Sequence, residues 1–210
     1  MPISLTSTDA LVVVDMQNDF LPGGSLAVTG GNEIVAPINA LAAQFDNVVL
    51  TQDWHPANHI SFAASHPGHE PFSTVEVSYG TQVLWPEHCV MGSRGADFAP
   101  GLRLPHAQLI IRKGFRPSVD SYSGFREADR QTTTGLAGYL RERGLTRLFL
   151  VGLATDFCVD WTAIDARAEG FEALVIADAC RAIDTNGSLD RAWSDMTTAG
   201  VQRIGSGDLG

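Results

Sequence analysis

Six short apolar runs recur along the chain, and none of them alternates: 10–15 (ALVVVD), 47–53 (NVVLTQD), 107–113 (AQLIIRK), 147–153 (RLFLVGL), 172–178 (EALVIAD) and a weaker 200–204 (GVQRI). A strand with one wet face alternates polar and apolar side chains. Unbroken Val, Leu and Ile mark a strand covered on both faces, as in a parallel sheet. Between the runs lie segments of helical length with apolar residues near a 3.6-residue spacing: 31–45 (GNEIVAPINALAAQF), 132–144 (TTTGLAGYLRERG), 156–170 (DFCVDWTAIDARAEG) and 188–200 (SLDRAWSDMTTAG). Three of these close on a glycine (Gly144, Gly170, Gly200) just ahead of a run, the position where a left-handed residue ends a helix. The pattern predicts a three-layer α/β/α doubly wound fold, a mainly parallel six-stranded sheet in a single domain over 1–210, with active residues at the carboxyl ends of the strands. Residues 54–106 break the alternation and are rich in Pro, Gly, His and Ser. A connection of that length inside a compact domain is more often functional than filler.

Composition narrows the function classes. The chain has 14 basic against 24 acidic residues, a net charge of -10, which repels phosphate backbones and anionic lipid. Nucleic acid and membrane surfaces are therefore excluded as partners, and a small molecule is expected. The apolar stretch Ala10 to Val14 is too short for a signal peptide or a membrane span, so a cytoplasmic protein is expected. Cys89, Cys158 and Cys180 make an odd count without a CxxC pair, which argues for free thiols in a reducing compartment. GSGDLG at 205–210 fits a dinucleotide-binding pattern but opens no helix. VVVDMQNDF has Gln17 where an aspartyl-phosphate hydrolase usually carries a second aspartate.

The strand ends carry the candidate chemistry. The first run ends in Asp15, the second in Asp53, the third in Lys113, and the fourth leads through ATDFC into a helix. Each residue alone has an ordinary explanation as a turn, a snorkelling lysine or a small core thiol. Together they supply a nucleophile, a base and a cation, which is what a cysteine needs to attack a carbonyl. Thr155 or Asp156 is expected to cap the helix carrying Cys158 and place its sulfur in the first turn. The Ala154 and Cys158 N–H groups are candidate donors to an oxyanion, with Gly152 and Ala154 small enough to admit a substrate carbonyl. Asp53, His55, His59 and His88 offer one carboxylate and up to three imidazoles, a set suited to zinc, iron or manganese.

VDMQNDF, DWHPANHISF, WPEHCVMGSRGADF, IRKGFRPSVDSYSGF and VGLATDFCVDWTA occur in order from about Leu11 to Asp178, and in this the chain resembles the nicotinamidases within the isochorismatase-like cysteine hydrolases. The resemblance implies a catalytic triad of Asp15, Lys113 and Cys158, with a non-proline cis peptide ahead of Ala154 aiming the oxyanion donors. It implies a divalent metal, zinc foremost, held by Asp53, His55 and His88, with His59 a candidate further ligand. That metal holds the pyridine nitrogen of the substrate. Phe20 and Trp85 match positions that sandwich the ring, Tyr122 matches the pocket wall, and Leu26 is expected to line the same wall. The implied reaction is hydrolysis of nicotinamide to nicotinate and ammonia through a cysteine thioester, in NAD salvage, with pyrazinamide also accepted. Another isochorismatase-like hydrolase acting on a carbamoyl or ureido compound is the alternative, and it would not need the metal set. A nucleotide-binding flavodoxin-like module or a thiol sensor is the non-hydrolytic one. Family members vary in oligomeric state, homo-oligomers included.

Overall fold

The computed structural model describes residues 2–210. The chain runs β1 (Asp9–Val14), α1 (Val35–Ala42), β2 (Asn47–Asp53), β3 (Thr74–Val77), β4 (Gly80–Val83), β5 (Leu109–Lys113), α2 (Leu136–Glu142), β6 (Arg147–Leu153), α3 (Asp160–Ala168), β7 (Glu172–Arg181), α4 (Ser188–Thr198) and β8 (Gln202–Ile204). Six strands form one sheet in the order β5-β2-β1-β6-β7-β8, and every pairing in it is parallel.

Neighbouring residues of one strand serve two different cores. Leu11 and Val13 of β1 join Val48 and Leu50, Phe149 and Val151, and Leu174 and Ile176 on one face, where Ile38 and Leu41 of α1 cover them. Ala10, Val12 and Val14 join Val49, Leu148, Leu150 and Val175 on the other, beneath Leu136 and Leu140 of α2, Ala163 and Ala166 of α3, and Met196 of α4. This double coverage holds for β1, β2, β6 and β7 and is why their runs show no polar alternation, whereas the edge strands β5 and β8 depart from the expectation, with Ile110 52% exposed and Gln202 and Arg203 in water.

The chain winds outward from β1 to β2 and β5, then returns through α2 to β6 on the other side of β1 and continues to β7 and β8. The reversal lies between β1 and β6, and a crevice opens there outside the carboxyl ends of the strands. Register aligns those ends: Asp53 pairs with Lys113, and Val14 with Gly152. Gly152 sits at φ +116, and a Cβ there would run into the Val14 carbonyl. Only glycine lets these two strands close beside the site.

The segment 54–106 is not wholly irregular. It contains the antiparallel hairpin β3–β4, with Thr74 opposite Val83 and Val77 opposite Gly80. The alternation in TVEVSYGTQV was its signal. The fifth run also extends further than Asp178: a register shift between Leu150 and Gly152 carries β7 to Arg181, so Cys180 lies inside the strand and not after it. Among the described residues, no helix is long and apolar enough to cross a membrane.

At the start of α3, Asp160 is only 6% exposed, and its Oδ1 has no hydrogen-bond partner. Burial, with Asp195 and Asp156 adding to it, pushes its carboxyl up to about 7. A raised acid holds its proton in the native state while the unfolded chain has already lost it, so native stability falls as pH rises from about 4 to about 7. Asp160→Asn should remove this penalty. Denaturant melts of both proteins should show the advantage of the variant growing across that window to at most a few kcal/mol and levelling off above it.

Candidate active site

Four adjacent strands deliver one group each to the crevice: Lys113 from β5, Asp53 from β2, Asp15 just past β1, and Cys158 in the turn after β6. Asp15, Asp53 and Lys113 are all buried, Asp15 and Lys113 completely. The Lys113 ammonium donates to Asp53 Oδ1, to the Ser121 carbonyl at 3.0 Å and to Cys158 Sγ at 3.3 Å, while Asp15 Oδ2 lies 2.9 Å away. An ammonium has three protons and here four neighbours. Asp15 Oδ2 is ion-paired with the ammonium and accepts no other hydrogen bond, whereas Oδ1 accepts the Thr51 hydroxyl at 2.5 Å. A carboxylate oxygen has two lone pairs, so Asp15 Oδ2 can face both Lys113 and the Cys158 thiol.

Electrostatics set the proton positions. Burial raises the Cys158 thiol well above its usual range, with Lys113 opposing and Asp15 adding to the rise. Burial also raises Asp15, against the pull of Lys113. The resting pair is a thiol beside a carboxylate whose proton affinity has been increased. Moving the proton from sulfur to Asp15 leaves the net charge of the buried cluster unchanged, so low dielectric does not oppose the step. Lys113 meanwhile is held charged: burial disfavours the ammonium, but Asp15 and Asp53 outweigh it.

Cys158 sits in a wide turn, Thr155–Val159, in which the Val159 N–H reaches back to the Ala154 carbonyl at 3.1 Å before α3 begins. Such π-type turns recur at functional sites. The Leu153–Ala154 peptide ahead of it is cis. Neither Thr155 nor Asp156 caps this helix, contrary to the sequence expectation. The Asp156 carboxylate instead accepts the Ile183 and Asp184 N–H groups at 3.0 and 2.8 Å and the Ser188 hydroxyl. Three donors from the loop after β7 claim it, so it ties that loop to the nucleophile turn.

On the far side of Asp53, His55 Nε2 and His88 Nε2 lie 3.6 and 3.9 Å from Asp53 Oδ2. These separations are too long for hydrogen bonds and match donors arranged around a common ion. The other ring nitrogens are already assigned: His55 Nδ1 pairs with the Gly114 carbonyl and His88 Nδ1 with the Pro86 carbonyl, each at 2.8 Å. A ring that donates through Nδ1 directs Nε2 toward Asp53; burial disfavours the His55 imidazolium but Asp53 outweighs it and raises the group, so a metal held at Nε2 takes the place of a proton there. Burial, reinforced by His55, pushes His88 down to about 4, so it is a neutral ligand at neutral pH. Asp53 is held far below the usual carboxylate range: burial opposes ionisation, but Lys113 and His55 overcome it. Asp53, His55 and His88 thus form a group able to hold a divalent metal. Gly114, at φ +66, leaves the room that the His55 ring occupies.

His59 is placed differently. Its Nδ1 pairs with Ser61 Oγ at 2.7 Å and its Nε2 with the Val119 carbonyl at 3.2 Å, while its ring stacks on His55. It groups with His55 and Asp120, not with Asp53 and His88.

One cavity joins the two clusters. Phe20, Leu26, Trp85, Tyr122 and Ala154 line it together with Cys158, Asp53, His55 and His88, and Asp53 lies between the cysteine and the two imidazoles. Trp85 Nε1 donates to the Tyr122 hydroxyl at 2.9 Å, which sets the angle between the two rings. Phe157 and Ile183 line it too and were not singled out from the sequence. Phe157 packs edge-on against Trp85, ring centroids 4.9 Å apart, and adjoins the cysteine in the most specific of the motifs, which was its signal. Thr51 was also missed. A lone hydroxyl in the otherwise apolar NVVLTQD is the trace it leaves in the sequence. Cys180, pushed by burial up to about 12, and Cys89, raised by burial, lie outside this cavity lining.

Known proteins resemble the chain in sequence and in fold. The chain is 60% identical to the nicotinamidase of Acinetobacter baylyi over 200 residues, 95% of this chain and 94% of that one. Among solved structures, an Acinetobacter baumanii nicotinamidase and pyrazinamidase superposes with a TM-score of 0.96 at 60% identity, covering 97% of this chain and 98% of that one. The pyrazinamidase of Pyrococcus horikoshii, solved in complex with zinc, superposes with a TM-score of 0.79 at 36% identity over 94% of this chain and 99% of that one. The Isochorismatase domain matches residues 9–206, and the chain belongs to the isochorismatase family.

Proposed function

We propose that the protein is a nicotinamidase that hydrolyses nicotinamide to nicotinate and ammonia, a step of NAD salvage, and that it also accepts pyrazinamide. One observation carries the reading: Cys158, backed by Asp15 and Lys113, lines the same aromatic-walled cavity as the carboxylate–bis-imidazole group of Asp53, His55 and His88. A flat pyridine carboxamide has a group for each of these two partners. The named relatives act on this class of amide.

Asp15 Oδ2 takes the proton of Cys158 as the sulfur attacks the carboxamide carbon, and Lys113 keeps both groups in register. The Ala154 and Cys158 N–H groups receive the developing oxyanion. Asp15 then returns the proton to the departing ammonia, leaving a thioester on Cys158. Water, deprotonated by the freed Asp15, hydrolyses the thioester to nicotinate. Phe20 and Trp85 hold the ring between them, and Leu26, Tyr122 and Ala154 close the walls. Asp53, His55 and His88 would hold a divalent ion, zinc by the donor set and by the Pyrococcus relative, and it supplies a Lewis-acid anchor for the pyridine nitrogen. His59, with both nitrogens engaged, supports the ring of His55 by stacking. A cytoplasmic location accompanies this reading, as do the three buried free thiols.

Ammonia release should be measured on nicotinamide, pyrazinamide, benzamide and a set of carbamoyl and ureido compounds. Turnover of the pyridine and pyrazine amides is expected; activity confined to carbamoyl or ureido compounds would overturn the assignment. Stripping the protein with a chelator should raise KM for nicotinamide by about tenfold or more, with recovery on adding Zn²⁺. Benzamide lacks the ring nitrogen, so its KM should be the same before and after stripping. An unchanged nicotinamide KM in the stripped protein would remove the anchor from the mechanism.

A further inference from the structure

A second, more open cleft lies outside the first between the β3–β4 hairpin, the turn before α3, and α4. Tyr122 and Phe157 line both spaces and form the wall between them. Its lip carries Phe72 and Trp161, 52% and 37% exposed, two of the few large apolar side chains the molecule leaves in water. Its floor is acidic, with Asp156, Asp160 and Asp195.

These carboxylates differ in what they already hold. Asp156 is saturated by the loop after β7. Asp160 is more than nine-tenths buried, lines the cleft, and has an oxygen with no partner. Arg191, on the cleft wall, donates to the neutral Asn186 carbonyl at 2.6 Å and is in none of the ion pairs among the described residues, and Arg130, 5.5 Å from the centre of the Trp161 ring, is paired with Asp165. A metal ion is a poor fit, because the three-ligand groups found among the described residues all lie in the inner site. A buried, unpartnered carboxylate beneath exposed aromatic faces is instead the combination that recognises an organic ammonium group, by a charge-assisted hydrogen bond and by cation–π attraction.

We propose that this cleft is a binding site for a small organic cation, an aryl- or alkylammonium, whose nitrogen is held by Asp160 and whose apolar part lies against Trp161 and Phe72. A bound ammonium supplies the partner that Asp160 lacks and stabilises its ionised form. The site is separate from the catalytic cavity, and the proposal stands whatever amide is hydrolysed there.

Phenethylammonium and its neutral counterpart 2-phenylethanol provide the test, titrated calorimetrically into the full-length protein at pH 8. The cation should bind at least about tenfold more tightly than the alcohol. Asp160→Asn should weaken the cation about tenfold and leave the alcohol unchanged. Asp195→Asn, at an exposed position, should weaken the cation by a smaller factor, about threefold, without shifting the thermal transition. Saturating nicotinate should not displace the cation. Equal binding of the two probes, unchanged cation affinity in both variants, or displacement by nicotinate would each overturn the proposal.

Discussion

Replacing Cys158 by alanine is expected to lower ammonia release from nicotinamide by about 10⁴-fold or more while leaving nicotinamide binding within a few-fold of wild type. The sulfur is the nucleophile in the cavity lining, and its removal deletes the covalent route, not one contribution among several. The walls and the Asp53–His55–His88 group stay intact, so binding and catalysis should separate. Rapid quenching of the wild type with excess substrate should show a nicotinoyl adduct on the peptide carrying Cys158, absent in the variant. A variant that retained full turnover would rule out the thioester.

Asp15→Asn should have the next largest effect, a loss of about 10²–10⁴ in kcat with little change in KM, the range expected when a positioned general base is removed. The argument rests on one atom. Asp15 Oδ2 has only Lys113 as a partner, at 2.9 Å, and its second lone pair is the acceptor for the thiol proton. An amide keeps the shape but has no basic lone pair there. The same carboxylate adds to the rise of the buried thiol, so the variant should hold more thiolate and alkylate with iodoacetamide at pH 8 at least as fast as wild type while turnover is lost. Turnover within a few-fold of wild type would remove Asp15 as the base.

Much of the candidate site is legible because its residues stand at punctuation marks in the chain. Asp15, Asp53 and Lys113 each end or directly follow an apolar run, and in a parallel sheet all such ends lie on one edge. Phe20 and Trp85 come from loops with no periodicity, and only the motif resemblance singled them out, whereas His55 and His88 were legible as imidazoles able to join Asp53 at a metal. Ile183 escaped because nothing local separates a pocket wall from ordinary packing, and Phe157 and Thr51 left only faint local traces. Asp156 misled for a related reason: its place before a helix reads as a cap, and the donors that claim it lie about 30 residues away.

The sequence by itself determined the six strands of the main sheet, that both faces of its central strands are covered, and which residue types meet at the strand ends, but not the β3–β4 hairpin. Burial on two faces removes polar alternation, and that trace is local. Tertiary structure alone decided that β1 lies between β2 and β6, that a single ammonium faces four acceptors, that β7 runs on through Cys180, and that His59 turns to Ser61 and Val119. Those outcomes depend on which distant groups compete for one buried donor or acceptor. A linear pattern records how deeply each residue is buried, not the neighbour it will face.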